Sequence, residues 1–573
     1  MIAHNKKLWF LLVPIFILLT AAIINPNPFG DSPDAIGDES PFLTSALTAI
    51  KNTTLPGWEF SKTGNFYGGV QIYLDVLVLL PVIAVIRLIT GNNLLTQLLV
   101  AIHTGELLHV LRLITGIAAL TTIFTSVYLY CKNKWPLNFG YKLLLLLALL
   151  LGNSLFVGMI HTAKVWGLYI ILEIILGIVV VAQEYSLRLQ EKTFLPKDTY
   201  IAVLFWLSFF ILCQNVAGVV ALLWVAYAIY LGHIKLKDLF VYCRKKIFYV
   251  LALLATQLAF FYRGWLLFAD HNGPFSLVNL SGQATRDSSG GIDWTIRLWR
   301  PLQIAFASQP LIIIYLLVAI ITVFYLLQQK KDLTYNKLTV IAILHPILVY
   351  IIRQVILGIN GPARHILPLS VAIIFSIVIL LEWKTVIGKT TLILALVLCA
   401  AVAYKSIYLY WHPASEKAVN TLLARDFNSA DNIFIIDGGA GRLSLPLNSH
   451  SLALLDPEQK VGGRYKFLSE HLDQIDALVK FKPTVAMAYK DHGANFYLDK
   501  FKSQNKRLFV ISMDCPQQCE LAETLAGTCW AVNERACLLA STLPEESTTL
   551  YDFFNSEMLG YPFFIRDKTK YEK

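Results

Sequence analysis

The chain has 573 residues, 56% of them hydrophobic and only 15% charged, with a mean hydropathy of +0.58. No soluble domain hides that much apolar surface, which excludes a soluble enzyme and sets the class as a polytopic membrane protein embedded in a lipid bilayer. The formal net charge of +10 would suit nucleic acid, but Lys and Arg gathered in short cytoplasmic loops account for it, and no nucleic-acid partner is expected.

In chain order, the first 30 residues have the basic flank and apolar run of a signal peptide but no small-x-small cleavage site. They are read as a retained first transmembrane helix. A span takes about 20 apolar residues. Candidates fall at 8–25, 107–130, 143–160, 166–184, 199–213, 216–232, 247–265, 308–327, 338–357, 366–382 and 389–409, about eleven in all. Basic clusters at Lys6/Lys7, Lys132/Lys134/Lys142, Arg188/Lys192/Lys197, Lys235 to Lys246, Lys330/Lys331/Lys337 and Lys384/Lys389 occupy every second interval. The N-terminus is therefore expected in the cytoplasm of a multi-pass cell-membrane protein, with 26–106, 266–307, 358–365 and everything after 410 external. Residues 71–90 are long enough to span, but counting them would turn the basic clusters outward. Pro81 and Asp75 point instead to a broken or interfacial helix, and 71–106 is kept half-buried on the external side.

After Trp411 the charge becomes ordinary. The runs 432–437, 484–490 and 507–513 read as buried strands, and 416–427 and 467–481 as amphipathic helices. The expected organisation is a transmembrane domain at 1–410 and an external α/β domain at 411–573. Cys515, Cys519, Cys529 and Cys537 are disulfide candidates in an oxidising compartment, with three pairings open. A zinc site on the same four thiols is the alternative.

The chemistry is expected in the polar interval 31–71, where Asp31, Asp34, Asp38 and Glu39 lie beside apolar sequence. Ser40 and Pro41 suit an N-cap and first helical residue. Phe42, Leu43, Ala46, Leu47 and Ile50 then share one face of an interfacial helix. The plainer reading of Asp38 and Glu39 is that they favour the helix N-terminus through its dipole. The functional reading is that desolvation at a membrane edge makes one of them a stronger general base.

A first helix, a long external loop with Asp38-Glu39-x-x-Phe42, and a helix carrying Arg112, Gly116, Ala118/Ala119 and Tyr128 resemble the membrane glycosyltransferases of the C superfamily. That group includes the protein O-mannosyltransferases and the lipid A aminoarabinose transferases. Further along, His161 and Lys164 stand where relatives end a helix in a basic motif; snorkelling at the interface is the plainer reading. Relatives often carry an Asp just after that basic residue. Here Val165-Trp166 follows, so the resemblance implies catalysis without a cofactor, a divalent metal being less favoured. Arg364, Leu367 and Pro368 match a late motif, with His365 in place of the usual Tyr. Arg353 lies in the outer part of the preceding span, and an intramembrane Arg is expensive unless paired.

The resemblance implies an inverting transferase that takes a sugar from a polyprenyl-phosphate-linked donor. Asp38, or Glu39 beside it, would serve as base for an acceptor glycan, lipid or protein on the external face. Arg112, His161, Lys164, Arg353, Arg364 and His365 would bind the lipid phosphate and sugar. A transporter or flippase of a lipid-linked or anionic solute is the alternative.

Overall fold

The computed structural model describes residues 70–90, 106–132, 137–160, 165–190, 193–214, 220–255, 311–329, 337–356, 366–382, 384–411, 415–437, 480–488, 493–513, 549–552 and 563–569. Single residues within 15–50, 298–310 and 448–454 are also described. The apolar runs form helices: α1 (Val70–Thr90), α2 (Glu106–Lys132), α3 (Leu137–Leu151), α4 (Ser154–Ile160), α5 (Val165–Gln190), α6 (Lys197–Gln214) and α7 (Leu222–Tyr230). The polar α8 (Leu236–Lys245) is followed by α9 (Ile312–Gln329), α10 (Lys337–Tyr350), which runs on into a π turn (Ile351–Ile356), α11 (Leu367–Leu380) and α12 (Val386–Trp411). Among the described residues, the stretches Gln71–Ile89, Gly167–Arg188 and Val386–Tyr404 are long and apolar enough to cross a membrane. Apolar side chains such as Leu88, Ile321, Phe324 and Val397 stand exposed on the outside of the helices, where a bilayer would cover them.

Two expectations change. The helix expected to break at Pro81 runs through it without interruption. A proline forfeits one backbone hydrogen bond, and apolar helices tolerate that loss. Asp75 is fully buried and accepts a 2.8 Å bond from Gln71 Nε2 one turn earlier. That contact lets an acid sit in the helix. The span expected at 143–160 is instead two helices. Asn153 Oδ1 accepts from the Phe156 amide at 3.0 Å and starts α4 as an N-cap.

Contacts sort the helix termini into two ends. At one end the Lys142 ammonium, near the start of α3, donates to the carbonyls of Val378, Ile379 and Leu381 at 2.8, 2.7 and 2.8 Å. It thereby caps the C-terminus of α11, and the Tyr141 hydroxyl donates to Gly388 near the start of α12 at 2.7 Å. Lys142 was expected in a solvated cytoplasmic loop; it is 3% exposed, because the orphan carbonyls of a helix terminus supply its acceptors. The same end holds a buried relay. Tyr200 and His233 Nδ1 share a 3.0 Å bond, and His233 Nε2 meets Glu184 Oε2 at 2.6 Å. Arg188 also binds Glu184, and Lys337 Nζ donates to the Tyr230 carbonyl.

Beyond α13 (Ser415–Asp426) lies a five-stranded sheet with one further helix, α14 (Ala494–Phe501). The strands β1 (Asn432–Asp437), β2 (Thr484–Ala488), β3 (Arg507–Met513), β4 (Thr549–Asp552) and β5 (Phe563–Asp567) take the order β2-β1-β3-β5-β4. The first three are parallel, with Ile433 opposite Thr484 on one side and Leu508 on the other. β5 and β4 pair antiparallel. Alternation puts Phe434, Ile436 and Phe509 on one face with Leu423 and Phe427 of the α13 region. Ile433, Ile435 and Val510 face the other way, with Tyr497, Leu498 and Phe501 of α14. A sheet covered on both faces needs the continuous apolar strands seen here.

Candidate functional site

The other end of the helical bundle also holds buried charges. Arg112, in the second turn of α2, is 2% exposed, and Arg353, in the π turn, is 0% exposed. A close approach at Gly167 links them. A Cβ there would lie 2.5 Å from Thr115 Cγ2 and 2.6 Å from the Met159 carbonyl oxygen. Glycine is the residue that lets the start of α5 touch α2 one turn past Arg112 and the end of α4. Two residues beyond Gly167, Tyr169 interacts with Arg353 and with Glu173. Glu173 and Arg353 attract one another directly, and Glu173 is 1% exposed. Tyr169, Glu173 and Arg353 therefore form one buried cluster of a phenol, a carboxyl group and a guanidinium.

The neighbours shared by α5 and α10 show how the two helices are oriented. Two turns deeper than Tyr169, a Cβ on Gly177 would lie 2.7 Å from Phe375 and 2.9 Å from Trp224. The Trp224 ring lies 4.7 Å from His345, two turns before Arg353 on α10. Tyr227 and His345 Nδ1 share a 3.1 Å hydrogen bond. The two helices thus run antiparallel, with His345 at the level of Gly177 and Arg353 at the level of Tyr169.

Of the residues singled out in the sequence, Arg112 and Arg353 come to this end of the bundle. Asp38, Glu39, His161, Lys164, Arg364 and His365 lie outside the described residues, as do Cys515, Cys519, Cys529 and Cys537. Phe42, Leu43, Ala46 and Leu47, just after Asp38-Glu39, are helical, buried at 0–1% exposure and part of the main apolar core, with Ile50 packed against it. The face expected to be apolar is the face that is buried. Sequence reasoning passed over Tyr169 and Glu173. The signal was a lone acid within IILEIIL, since an ionisable group inside a span needs a named partner. Among the described residues no three His, Cys, Asp or Glu side chains gather as a metal site would require.

No family model matches the chain, and no curated protein matches it. A solved structure is similar along its whole length. It is the crystal structure of ArnT from Cupriavidus metallidurans bound to undecaprenyl phosphate, at 10% identity, covering 97% of this chain and 98% of that chain, with a TM-score of 0.43. A TM-score below 0.5 is too low for that likeness to place any residue, so the functional reading rests on the side chains of this chain.

Proposed function

We propose that the chain is an integral-membrane glycosyltransferase using a polyprenyl-phosphate-linked sugar. The observation that carries the reading is the burial of two guanidinium groups, Arg112 and Arg353, at one end of an apolar bundle. That end lies opposite the one where Lys142, Arg188 and Lys337 gather. Guanidinium forks suit a phosphate through bidentate bonds, and basic residues gather on the cytoplasmic side. In this reading the donor end is external. Arg112 and Arg353, with Lys164, His161, Arg364 and His365, hold the lipid phosphate and sugar. Residues 411–573 form an external domain for acceptor binding or partner docking.

The acceptor hydroxyl attacks the anomeric carbon as the bond from that carbon to the phosphate oxygen breaks. The sugar leaves with inverted configuration, the phosphate stays on the lipid, and the acceptor proton passes to Asp38, with Glu39 orienting the acceptor. Positive groups around the departing phosphate stabilise the charge that develops there. Burial of the helix face that begins at Phe42 supports the role of Asp38, because it ties the acidic loop to the bundle four residues away.

The test is sugar transfer in membranes with Asp38→Asn. Transfer should fall by about 10²–10⁴-fold, the worth of a general base, while binding of undecaprenyl phosphate persists. Unchanged transfer would sink the assignment of the base. A transporter of an anionic or lipid-linked solute is the rival, favoured by Glu173 and Glu184. Both are buried and lie eleven residues, about three turns, apart on one face of α5. Solute uptake into vesicles, with no transfer from any donor, would decide for it.

A further inference from the structure

The polar helix α8 turns its charges and its apolar side chains the same way. Spaced about one turn apart, Leu236, Phe240 and Arg244 form one stripe along it, and Lys237, Val241 and Lys245 form the stripe beside it. All six are exposed, Phe240 at 76% and Leu236 at 61%. The opposite side meets the bundle through buried Tyr242 and through Leu239, which packs on the main core. Asp238 fastens that side down. It accepts from the Lys197 ammonium at the start of α6 at 2.8 Å and from the Lys235 amide at 2.9 Å.

Cations outnumber acids along this stretch. Lys235, Lys237, Arg244, Lys245 and Lys246 stand against the single acid Asp238, which Lys197 already occupies. Among the described residues none of the five cations makes an ion pair. The helix lies at the end of the bundle where His233 meets Glu184 and Lys337 reaches the Tyr230 carbonyl, opposite Arg112 and Arg353. Directly after it, the helical residues 247–255 begin an apolar run with Phe248 82% exposed and Leu251 and Leu254 about half exposed. Side chains of that kind face hydrocarbon, so α8 stands at the level where the bilayer gives way to headgroups. A positive-inside bias accounts for cations in a loop. It does not account for their sharing one exposed face with Leu236, Phe240 and Val241, which is the pattern of a helix lying in the interface.

We propose that the outer face of α8 is a docking surface for anionic phospholipid headgroups in the leaflet at this end. Leu236, Phe240 and Val241 enter the boundary of the acyl chains, and Lys237, Arg244 and Lys245 meet the headgroup phosphates. The contact between Asp238 and Lys197 holds α8 on α6 with this face turned outward. A zwitterionic surface has no net charge to set against the cations, whereas an anionic leaflet attracts each of them. The surface stands apart from the proposed donor site and does not depend on sugar transfer.

The experiment places the purified full-length protein in nanodiscs of phosphatidylcholine alone, or of phosphatidylcholine mixed equally with phosphatidylglycerol, and reads backbone hydrogen exchange at 236–245. Exchange should be slower in the anionic discs, by about fivefold for each cation that engages a headgroup. The difference should vanish in concentrated salt, where the screening length falls to about 3 Å. Lys237→Gln, Arg244→Gln and Lys245→Gln together should remove it while exchange across α5 stays as in wild type. Lys237→Arg with Lys245→Arg, which keeps the charge, should retain it. The wild-type comparison at low and high salt carries the test by itself where the triple variant does not fold. Equal exchange of the wild type in the two discs, or a difference that survives the three substitutions, would overturn the proposal. Slowing by soluble polyglutamate in phosphatidylcholine discs, with no effect of phosphatidylglycerol, would overturn it in favour of an acidic protein partner.

Discussion

A lysine inside an apolar bundle has to find its acceptors there, and Lys142 does so at the frayed end of a neighbouring helix. Three carbonyls at the C-terminal end of α11 accept from one ammonium, and the Tyr185 ring lies 5.5 Å away. Replacing it with an apolar residue of similar length leaves those carbonyls facing hydrocarbon, each at a cost of about 1 kcal/mol or more. Lys142→Met should lower the thermal unfolding midpoint of the detergent-solubilised protein by several degrees, whereas Lys384→Met, on an exposed residue, should leave it within error. A stable K142M would show that water replaces the ammonium. At this scale the sequence was partly readable. Arg353 stood out as a charge in a span, but Lys142 passed for a loop residue because α3 begins five residues before it and carries Asn138 and Gly140 in its first turns. Glu173 was visible as a charge in an apolar run, yet its partner lies 180 positions away, and no local pattern names it.

Elements were legible where their periodicity was long and were misjudged where one residue decided. The face at 42–50 follows helical spacing and is buried as expected. So do the three parallel strands, which are short apolar runs between polar turns. The antiparallel β4 and β5 went unseen, because TLYD and FFIRD are too short and too mixed to show an alternating core face. Pro81 was weighed as a breaker by a rule drawn from water, where a lost hydrogen bond competes with solvent. In an apolar setting the helix has nothing better to become. The packing of α5 on α2 and α4 turns on Gly167 in the same single-residue way. Gly167→Ala pushes a methyl group against the backbone oxygen of Met159. Backbone cannot rotate aside, so overpacking of roughly 1–3 kcal/mol is expected. The substitution should reduce thermal stability and protease resistance. Gly493→Ala, where an added Cβ meets nothing within 4 Å, is the neutral control.

Across the whole molecule, the regular alternation of basic intervals with apolar runs anticipated that the bundle has two unlike ends. Contacts between residues as far as 239 positions apart bring Lys142, Arg188 and Lys337 to one of them and Arg112 and Arg353 to the other. Parity is the part that alternation could not supply. α1 is now a helix of 21 residues, long and apolar enough to cross, where an external interfacial segment was expected. If it crosses, cysteines introduced as Val70→Cys and Thr90→Cys will react with a membrane-impermeant reagent from opposite sides of intact cells. Labelling of both from one side would restore the interfacial placement.

The π turn at Ile351–Ile356 also bears on how this stretch could have arisen. Such a turn holds one residue more than the α-helix it interrupts, so a single inserted codon is enough to make it. Removing one residue between Tyr350 and Arg353 would return the backbone to α pitch and swing Arg353 by about 100° around the helix axis, away from its present neighbours. Among distant relatives, a one-residue gap at this point in an alignment would then mark chains whose late-helix arginine serves some other partner.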